Sequence, residues 1–152
     1  LEENPMKKVM VFACNWCSYA GADFAGISRI QYPPNARIIR TMCSGRVDEK
    51  FIWEGFKKGA PLILVSGCHI GDCHYIDANQ WTEKRVKKIR KKMEKLGIRP
   101  ERLQLEWISA AEGIRFAAIM RQMESLRRDV TEKEIAETIH ILKNQTKQDR
   151  DA

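Results

Sequence analysis

The sequence lacks several features that define common classes of protein. No apolar run approaches the roughly 20 residues that span a bilayer, so we expect a soluble or peripheral protein with no membrane span. There is no GxGxxG loop and no convincing pairing of a nucleophile with a base, which argues against a self-sufficient enzyme. The opening LEENPMKK lacks the apolar centre of a secretory signal. We therefore expect a cytoplasmic protein whose cysteines stay reduced.

The chain is long enough for one folded domain and carries an excess of positive charge. Its 152 residues are 43% hydrophobic and 31% charged, which is typical of a globular domain. The formal net charge of +7 raises nucleic acid as a partner. Much of the excess, however, lies between Glu83 and Arg99, where apolar residues recur at helical spacing and leave the cations on the opposite face. A solvated helix face, or a docking face for an acidic protein, explains this pattern, and we expect no nucleic-acid partner.

Short apolar runs alternate with segments of helical periodicity. The first and third runs are almost continuously apolar, as expected for central parallel strands covered on both faces. We predict one α/β domain over residues 7–143, with an open, mostly parallel sheet of about four strands, helices on both faces and a C-terminal helical pair. Residues 1–6 are predicted to form an N-terminal extension and residues 144–152 a flexible tail. The predicted strands are Lys7 to Ala13, Ala36 to Thr41, Pro61 to Ser66 and Arg102 to Ile108.

All five cysteines follow predicted strands. Cys14 and Cys17 follow the first strand, Cys43 follows the second, and Cys68 and Cys73 follow the third. The functional crevice of an open α/β sheet lies beyond the carboxyl ends of its strands, so we predict that the five thiols meet at one edge. An odd number of cysteines cannot all pair as disulfides, and clustered thiols in a reducing compartment more often bind metal or do redox chemistry.

Three chemistries use such a group of thiols. An iron-sulfur cluster needs four ligands and backbone N–H groups directed at its sulfur atoms, and Gly45, Gly67 and Gly71 allow the backbone to approach. Structural zinc usually uses paired knuckles, whereas this chain has a single CxxC motif. Dithiol exchange at CNWC would leave three cysteines unexplained. The pattern favours an iron-sulfur cluster, with a zinc-stabilised interaction or nucleic-acid-binding domain as the alternative.

Histidines and aromatic residues surround the cysteines in the sequence. His69 and His74 each directly follow a cysteine, and adjacent residues rarely chelate one metal without strain. Both are therefore expected beside the ligands, as hydrogen-bond donors to sulfur, or on the surface without a role. Four further residues are expected to shield a cluster or meet a partner: Trp16, Tyr19, Arg46 and Tyr75. Arg46 has an alternative interpretation, as an ordinary arginine of a loop with no role at the site.

Four segments also carry a resemblance to a known family. They are VMVFACNWCSYAGADFAG, RIIRTMCSGRVD, GAPLILVSGCHIGDCHY and AAEGIRFAAIM, and the resemblance extends from about Lys7 to Lys143. Together they resemble the delta subunit of methyl-viologen-reducing (F420-non-reducing) hydrogenase, the small iron-sulfur subunit associated with heterodisulfide reductase in methanogenic archaea.

The resemblance implies a [2Fe-2S] electron carrier with no active site of its own. Such a protein relays electrons from the hydrogenase, or from a formate dehydrogenase, to the flavin-containing subunit of heterodisulfide reductase. There the flavin is thought to bifurcate electrons between ferredoxin and the heterodisulfide of coenzymes M and B, a step of methanogenesis.

Five candidate cysteines for four ligand positions leave one spare. We prefer Cys43, Cys68 and Cys73 as ligands, because no other cysteine competes closely with any of them for its ligand position. For the fourth position we prefer Cys17, which stands at a predicted helix start, over Cys14, which continues the strand.

Overall fold

The computed structural model describes residues 8–151 and consists of one sheet between two layers of helices. The predicted extension, residues 1–6, lies outside the described residues. No helix within residues 8–151 is both long and apolar enough to cross a membrane. The strands are β1 Val9–Cys14, β2 Ala36–Thr41, β3 Ile63–Gly67 and β4 Leu103–Trp107. The helices are α1 Ser18–Ile27, α2 Glu49–Lys57, α3 Ala78–Leu96, α4 Gly113–Asp129 and α5 Glu132–Asp151.

All four strands are parallel, in the order β2-β1-β3-β4. The predicted open α/β sheet is therefore confirmed. β1 lies between β2 and β3, and the register pairs Cys14 with Thr41 and Ala13 with Ser66. The carboxyl ends of these three strands consequently lie side by side, and so do the loops that follow them.

Helices cover both faces of the sheet, as predicted. Alternate residues of β1 face opposite ways: Val11 packs in one apolar layer and Phe12 in the other. The layer around Val11 is closed by α1 and α4, and the layer around Phe12 by α2, α3 and α5. The two C-terminal helices follow one another in sequence but lie on opposite faces.

Close packing of α1 against the loop before α4 depends on a glycine. A Cβ atom at Gly21 would lie 2.8 Å from the carbonyl oxygen of Ser109 and 3.2 Å from Ile108 Cγ2. A Cβ atom essentially never approaches another heavy atom within 3.0 Å. The absence of a side chain at Gly21 therefore allows the helix to lie against this loop.

A buried arginine fixes α5 to the rest of the domain. Arg102 is 1% exposed, and its guanidinium donates hydrogen bonds to the carbonyl oxygens of Ala60 and Pro61 and to the hydroxyl of Thr138 in α5. Leu142, one turn further along α5, packs in the apolar layer beneath the helix. From residue 144, where we predicted a flexible tail, the backbone continues α5 to Asp151. The flexibility of that segment stays a prediction.

Candidate metal centre

The loops after β1, β2 and β3 bring the cysteines to one edge of the sheet. Cys14 is the last residue of β1, and Cys17 directly precedes the first turn of α1. Cys43 precedes a short 3-10 turn, Ser44–Arg46. Cys68 directly follows β3, and Cys73 lies in the loop between β3 and α3. The strand order places these loops together, because β1 has β2 on one side and β3 on the other.

Three of the five thiols form a compact group. The sulfur atoms of Cys14, Cys17 and Cys68 lie within 4.8 Å of one another, and those of Cys14 and Cys68 are 3.9 Å apart. All three residues are buried. Tetrahedral thiolate coordination at about 2.3 Å places sulfur atoms about 3.8 Å apart. The three sulfur atoms are therefore spaced closely enough to bind one metal atom.

The other two cysteines lie beside this group. Cys73 is half-buried and packs against the three thiols. Cys43 is buried, and interaction with the Cys73 thiol contributes to raising its pKa. The loops thus bring all five predicted residues together, with Cys14 and Cys17 in the same compact group. Which four of them are ligands, and the preference for Cys17 over Cys14, stay predictions.

Backbone N–H groups point at several of the sulfur atoms. The backbone N–H groups of Trp16 and Ser44 act to lower the pKa of Cys14, and that of His74 acts to lower the pKa of Cys68. The N–H group of Gly45 donates to Cys43 at 3.4 Å. Such donors stabilise the negative charge on cysteine sulfur and on an iron-sulfur cluster. The donor set therefore fits a cluster, as expected from the sequence.

A glycine lets two of the cysteine loops meet. A Cβ atom at Gly67 would lie 2.7 Å from the hydroxyl oxygen of Ser44 and 3.0 Å from a ring carbon of Trp107. Any other residue at position 67 would push the loop after β2 away from the end of β3. We predicted that the glycines of this region would let the backbone approach a cluster, and that stays a prediction.

The thiols differ in acidity because they are hydrogen-bonded to one another. The pKa of Cys14 is lowered to about 6, chiefly because the Cys17 thiol donates a hydrogen bond to its sulfur. The same hydrogen bond raises the pKa of Cys17, and burial raises the pKa values of Cys43 and Cys68. Cys14 is therefore the most readily ionised thiol of the group, and binding of a cation at these sulfur atoms would release protons from the others.

Aromatic side chains cover part of the cysteine edge. The indole ring of Trp16 stacks on the imidazole of His74, with ring centroids 3.9 Å apart, and its N–H donates to the hydroxyl of Tyr75 at 3.4 Å. Trp16 and Tyr75 are both nearly half exposed, so their outer sides are available for a partner. Tyr19, expected in the same role, packs instead in the apolar layer of α1 and α4, with the Arg40 guanidinium over its ring.

The remaining predicted residues also have defined places. Arg46 is exposed and lines a cavity of about 550 Å³ together with Cys43, Tyr75 and Trp81. The imidazole of His69 contacts the carboxylate of Glu112 in the loop before α4, which also accepts the N–H of Ser109 at 2.8 Å. The hydrogen bond with His69 lowers the pKa of Glu112 to about 2. His69 therefore faces Glu112, and His74 faces Trp16.

A set of residues in the first turns of α3 was not predicted from the sequence. We predicted this helix from Glu83, whereas it begins at Ala78. Its added turn carries the buried Asn79, whose amide nitrogen donates to the carbonyl oxygens of Cys68 and His69. The sequence did contain a signal for this part of the helix, because Asn79, Thr82 and Arg85 recur at intervals of three. It was missed because helices are predicted from the spacing of apolar residues, and these three are polar.

Comparisons with known proteins agree with this site. The family model for the delta subunit of methyl-viologen-reducing hydrogenase matches residues 9–128. The chain is 48% identical over 123 residues to the vhc iron-sulfur subunit of F420-non-reducing hydrogenase from Methanococcus voltae, which is 81% of this chain and 85% of that protein. It is 46% identical over 117 residues to the F420-non-reducing hydrogenase iron-sulfur subunit of Archaeoglobus profundus, covering 77% and 85% of the two chains.

Another relative is a much longer protein. Over 109 residues, or 72% of this chain, the identity is 50% to one subunit of the ferredoxin/F420H2-dependent CoB-CoM heterodisulfide reductase of Methanosarcina acetivorans. The matched stretch makes up 14% of that polypeptide. A domain similar to this chain is therefore one part of a larger protein in that organism.

Proposed function

This chain belongs to the family of methyl-viologen-reducing hydrogenase delta subunits, and we propose that it is an electron-transfer protein of a larger complex that carries a [2Fe-2S] cluster at its cysteine edge. The observation that carries the proposal is the grouping of Cys14, Cys17 and Cys68 within 4.8 Å, with Cys73 packed against them. Relatives named as iron-sulfur subunits support the same assignment.

The chain's own residues would bind, orient and shield the cluster. A [2Fe-2S] cluster, when bound, supplies a centre that takes up and releases one electron at a time. Four of the five cysteines would hold it as thiolates, and we propose that the compact group Cys14, Cys17 and Cys68 supplies three of them. The fourth ligand would be Cys73, or Cys43 beside it. Backbone N–H groups would offset the negative charge of the site, while Trp16 and Tyr75 would restrict the access of water.

The proposed relay runs from a hydrogenase, or a formate dehydrogenase, to the flavin-containing subunit of heterodisulfide reductase. The names of the relatives support both ends of this route, since some belong to a hydrogenase and others to a heterodisulfide reductase. The presence of a similar domain inside that reductase polypeptide supports direct contact between this chain and such a partner. A cytoplasmic location and a role in flavin-based electron bifurcation during methanogenesis complete the proposal.

A second candidate follows from the same geometry. The spacing of the three sulfur atoms also suits tetrahedral zinc, so the alternative is a zinc-stabilised interaction or nucleic-acid-binding domain. Backbone donors would stabilise the thiolates in either case, so the two candidates differ in composition: only a cluster contains acid-labile sulfide.

Metal analysis of anaerobically purified protein separates the two candidates. A [2Fe-2S] carrier should contain about two iron atoms and two acid-labile sulfides per chain, absorb visible light and give an EPR signal after one-electron reduction. A colourless protein with one zinc and no labile sulfide would overturn the electron-transfer proposal in favour of the alternative.

A further inference from the structure

The first turns of α3 contact two of the three cysteine loops through polar side chains. Asn79 is fully buried, and its amide nitrogen donates to the carbonyl oxygen of Cys68 at 3.1 Å and to that of His69 at 3.0 Å. Its hydrogen bonds therefore hold two successive peptide groups directly after β3. One of these peptide groups belongs to a proposed ligand.

Arg85 makes the equivalent contacts with the loop after β2. Its guanidinium donates to the carbonyl oxygen of Gly45 at 3.1 Å and to that of Val47 at 2.8 Å. Between the two side chains, the buried hydroxyl of Thr82 is hydrogen-bonded to the hydroxyl of Ser44 at 3.1 Å. Residues three positions apart lie on the same side of a helix, so one side of α3 holds both loops.

We propose that α3 positions the ligands of the cluster, with Asn79 and Arg85 as the positioning residues. The inference rests on the proposed function, because it assigns a role toward the cluster that the cysteines would hold. A peptide group is planar, so fixing two carbonyls around one residue restricts the backbone dihedral angles between them. The carbonyls of Cys68 and His69 flank His69, so Asn79 alone fixes the backbone of His69. The peptide group before Cys68 is held by the N–H of Ile108, which donates to the carbonyl oxygen of Gly67 at 2.9 Å. Together with that bond, the hydrogen bond from Asn79 to the Cys68 carbonyl restricts the direction in which the Cys68 side chain leaves the backbone. Arg85 does the same for the turn that follows Cys43.

This role is separable from the packing that holds α3 on the sheet. Val86, Ile89 and Met93 are buried in the apolar layer beneath the helix. These contacts remain when Asn79 or Arg85 is shortened, so α3 should stay in place while the loops lose their hydrogen bonds. The effect of a substitution on the cluster can therefore be measured in a folded protein.

Substitution of the two residues tests the proposal in the full-length protein loaded anaerobically with its cluster. Asn79→Ala and Arg85→Met should each release iron to an excess of chelator roughly ten- to a hundredfold faster than wild type, the usual cost of removing an outer hydrogen-bond partner at a metal site. The EPR spectrum of the reduced cluster should also change, because the directions of the ligand side chains change. Arg85→Lys retains a donor and should restore most of the wild-type retention.

Arg90 provides a matched control on the same helix. It is half-buried like Arg85, and its guanidinium donates to a backbone carbonyl, that of Leu103, at 2.9 Å. That acceptor is the first residue of β4, at the amino end of the strand and so away from the cysteine edge. Arg90→Met should release iron at the wild-type rate, although it loses a comparable hydrogen bond.

The outcomes distinguish this inference from the function on which it rests. Unchanged iron release and an unchanged EPR spectrum in both Asn79→Ala and Arg85→Met would overturn the inference and leave the proposed function intact. Equal acceleration in Arg85→Met and Arg90→Met would also overturn it, since general loosening of α3 would then be the cause. A wild-type chain that binds no iron-sulfur cluster would overturn both.

Discussion

The sulfur atom of Cys14 lies 3.9 Å from that of Cys68, although the two residues are 54 positions apart in the sequence. Parallel pairing of β1 with β3 accounts for this distance, because it aligns Ala13, the residue before Cys14, with Ser66, which lies two residues before Cys68. The contact is therefore set by neighbouring strand ends.

Serine substitution of each cysteine tests the grouping of thiols. We expect Cys14→Ser, Cys17→Ser and Cys68→Ser each to retain less than about half of the wild-type iron, because each removes one of the three mutually close thiols proposed as ligands. Cys43→Ser and Cys73→Ser should differ from one another, since only one of this pair completes a set of four. Iron and acid-labile sulfide per chain, measured after anaerobic reconstitution, provide the readout.

The same series distinguishes the structural grouping from the ranking based on sequence. Full iron retention by Cys14→Ser, combined with large losses in both Cys43→Ser and Cys73→Ser, would contradict the three-thiol group as a ligand set. It would support the sequence-based choice of Cys17, Cys43, Cys68 and Cys73.

A pair of glycines on α1 tests the close packing of this helix. Gly21→Ala should lower the free energy of unfolding by about 1–3 kcal/mol, since the new methyl group overlaps the carbonyl oxygen of Ser109. Gly26→Ala is the matched control, because a Cβ atom there meets nothing within 4 Å. It should raise the free energy of unfolding by up to about 1 kcal/mol, through the better helix propensity of alanine. Urea unfolding at equal iron content would measure both, and equal effects would contradict the packing argument.

The buried carboxylate of Glu124 should make the free energy of unfolding depend on pH. This residue of α4 is buried, pairs with Arg127 and accepts a hydrogen bond from Asn35 in the segment before β2. The hydrogen bond from Arg127 lowers the pKa of Glu124, so the folded protein takes up this proton less readily than the unfolded chain. Its stabilising effect is complete above the ordinary glutamate pKa of about 4.3 and is lost as the pH falls through the folded-state value.

Comparison of Glu124→Gln with wild type measures that contribution. At about pH 6 the substitution should lower the free energy of unfolding by about 1–3 kcal/mol, and the difference from wild type should shrink as the pH falls below about 4. Glu83→Gln removes only an exposed pair with Lys87 and should stay within about 0.5 kcal/mol of wild type throughout. A difference for Glu124→Gln that is constant across the pH range would show that its charge is not responsible.

Much of the fold could be predicted because apolar patterning determines it. The segment Ala36–Thr41 is a strand with the predicted ends, and the two almost continuously apolar runs form the adjacent strands β1 and β3. The meeting of the cysteines at one edge followed from topology alone, since the carboxyl ends of parallel strands share an edge.

Features that depend on tertiary contacts could not be predicted in this way. The first turn of α3 has little apolar character, and Asn79 is buried there by hydrogen bonds to a distant loop. The spacing between Cys14 and the other thiols depends on side-chain directions, which sequence positions do not give. Tyr19 was expected to shield the cluster or meet a partner, but the turn of α1 carries its ring into the apolar layer.

The buried guanidinium of Arg102 has a practical consequence for defining this domain. The family match ends at residue 128, before α5 begins, yet Arg102 donates to Thr138 and Leu142 fills part of the apolar layer. An expression boundary drawn at residue 128 would uncover a charged group and an apolar surface together, and would favour aggregation. Fragments intended for labelling, crystallisation or fusion should therefore include α5.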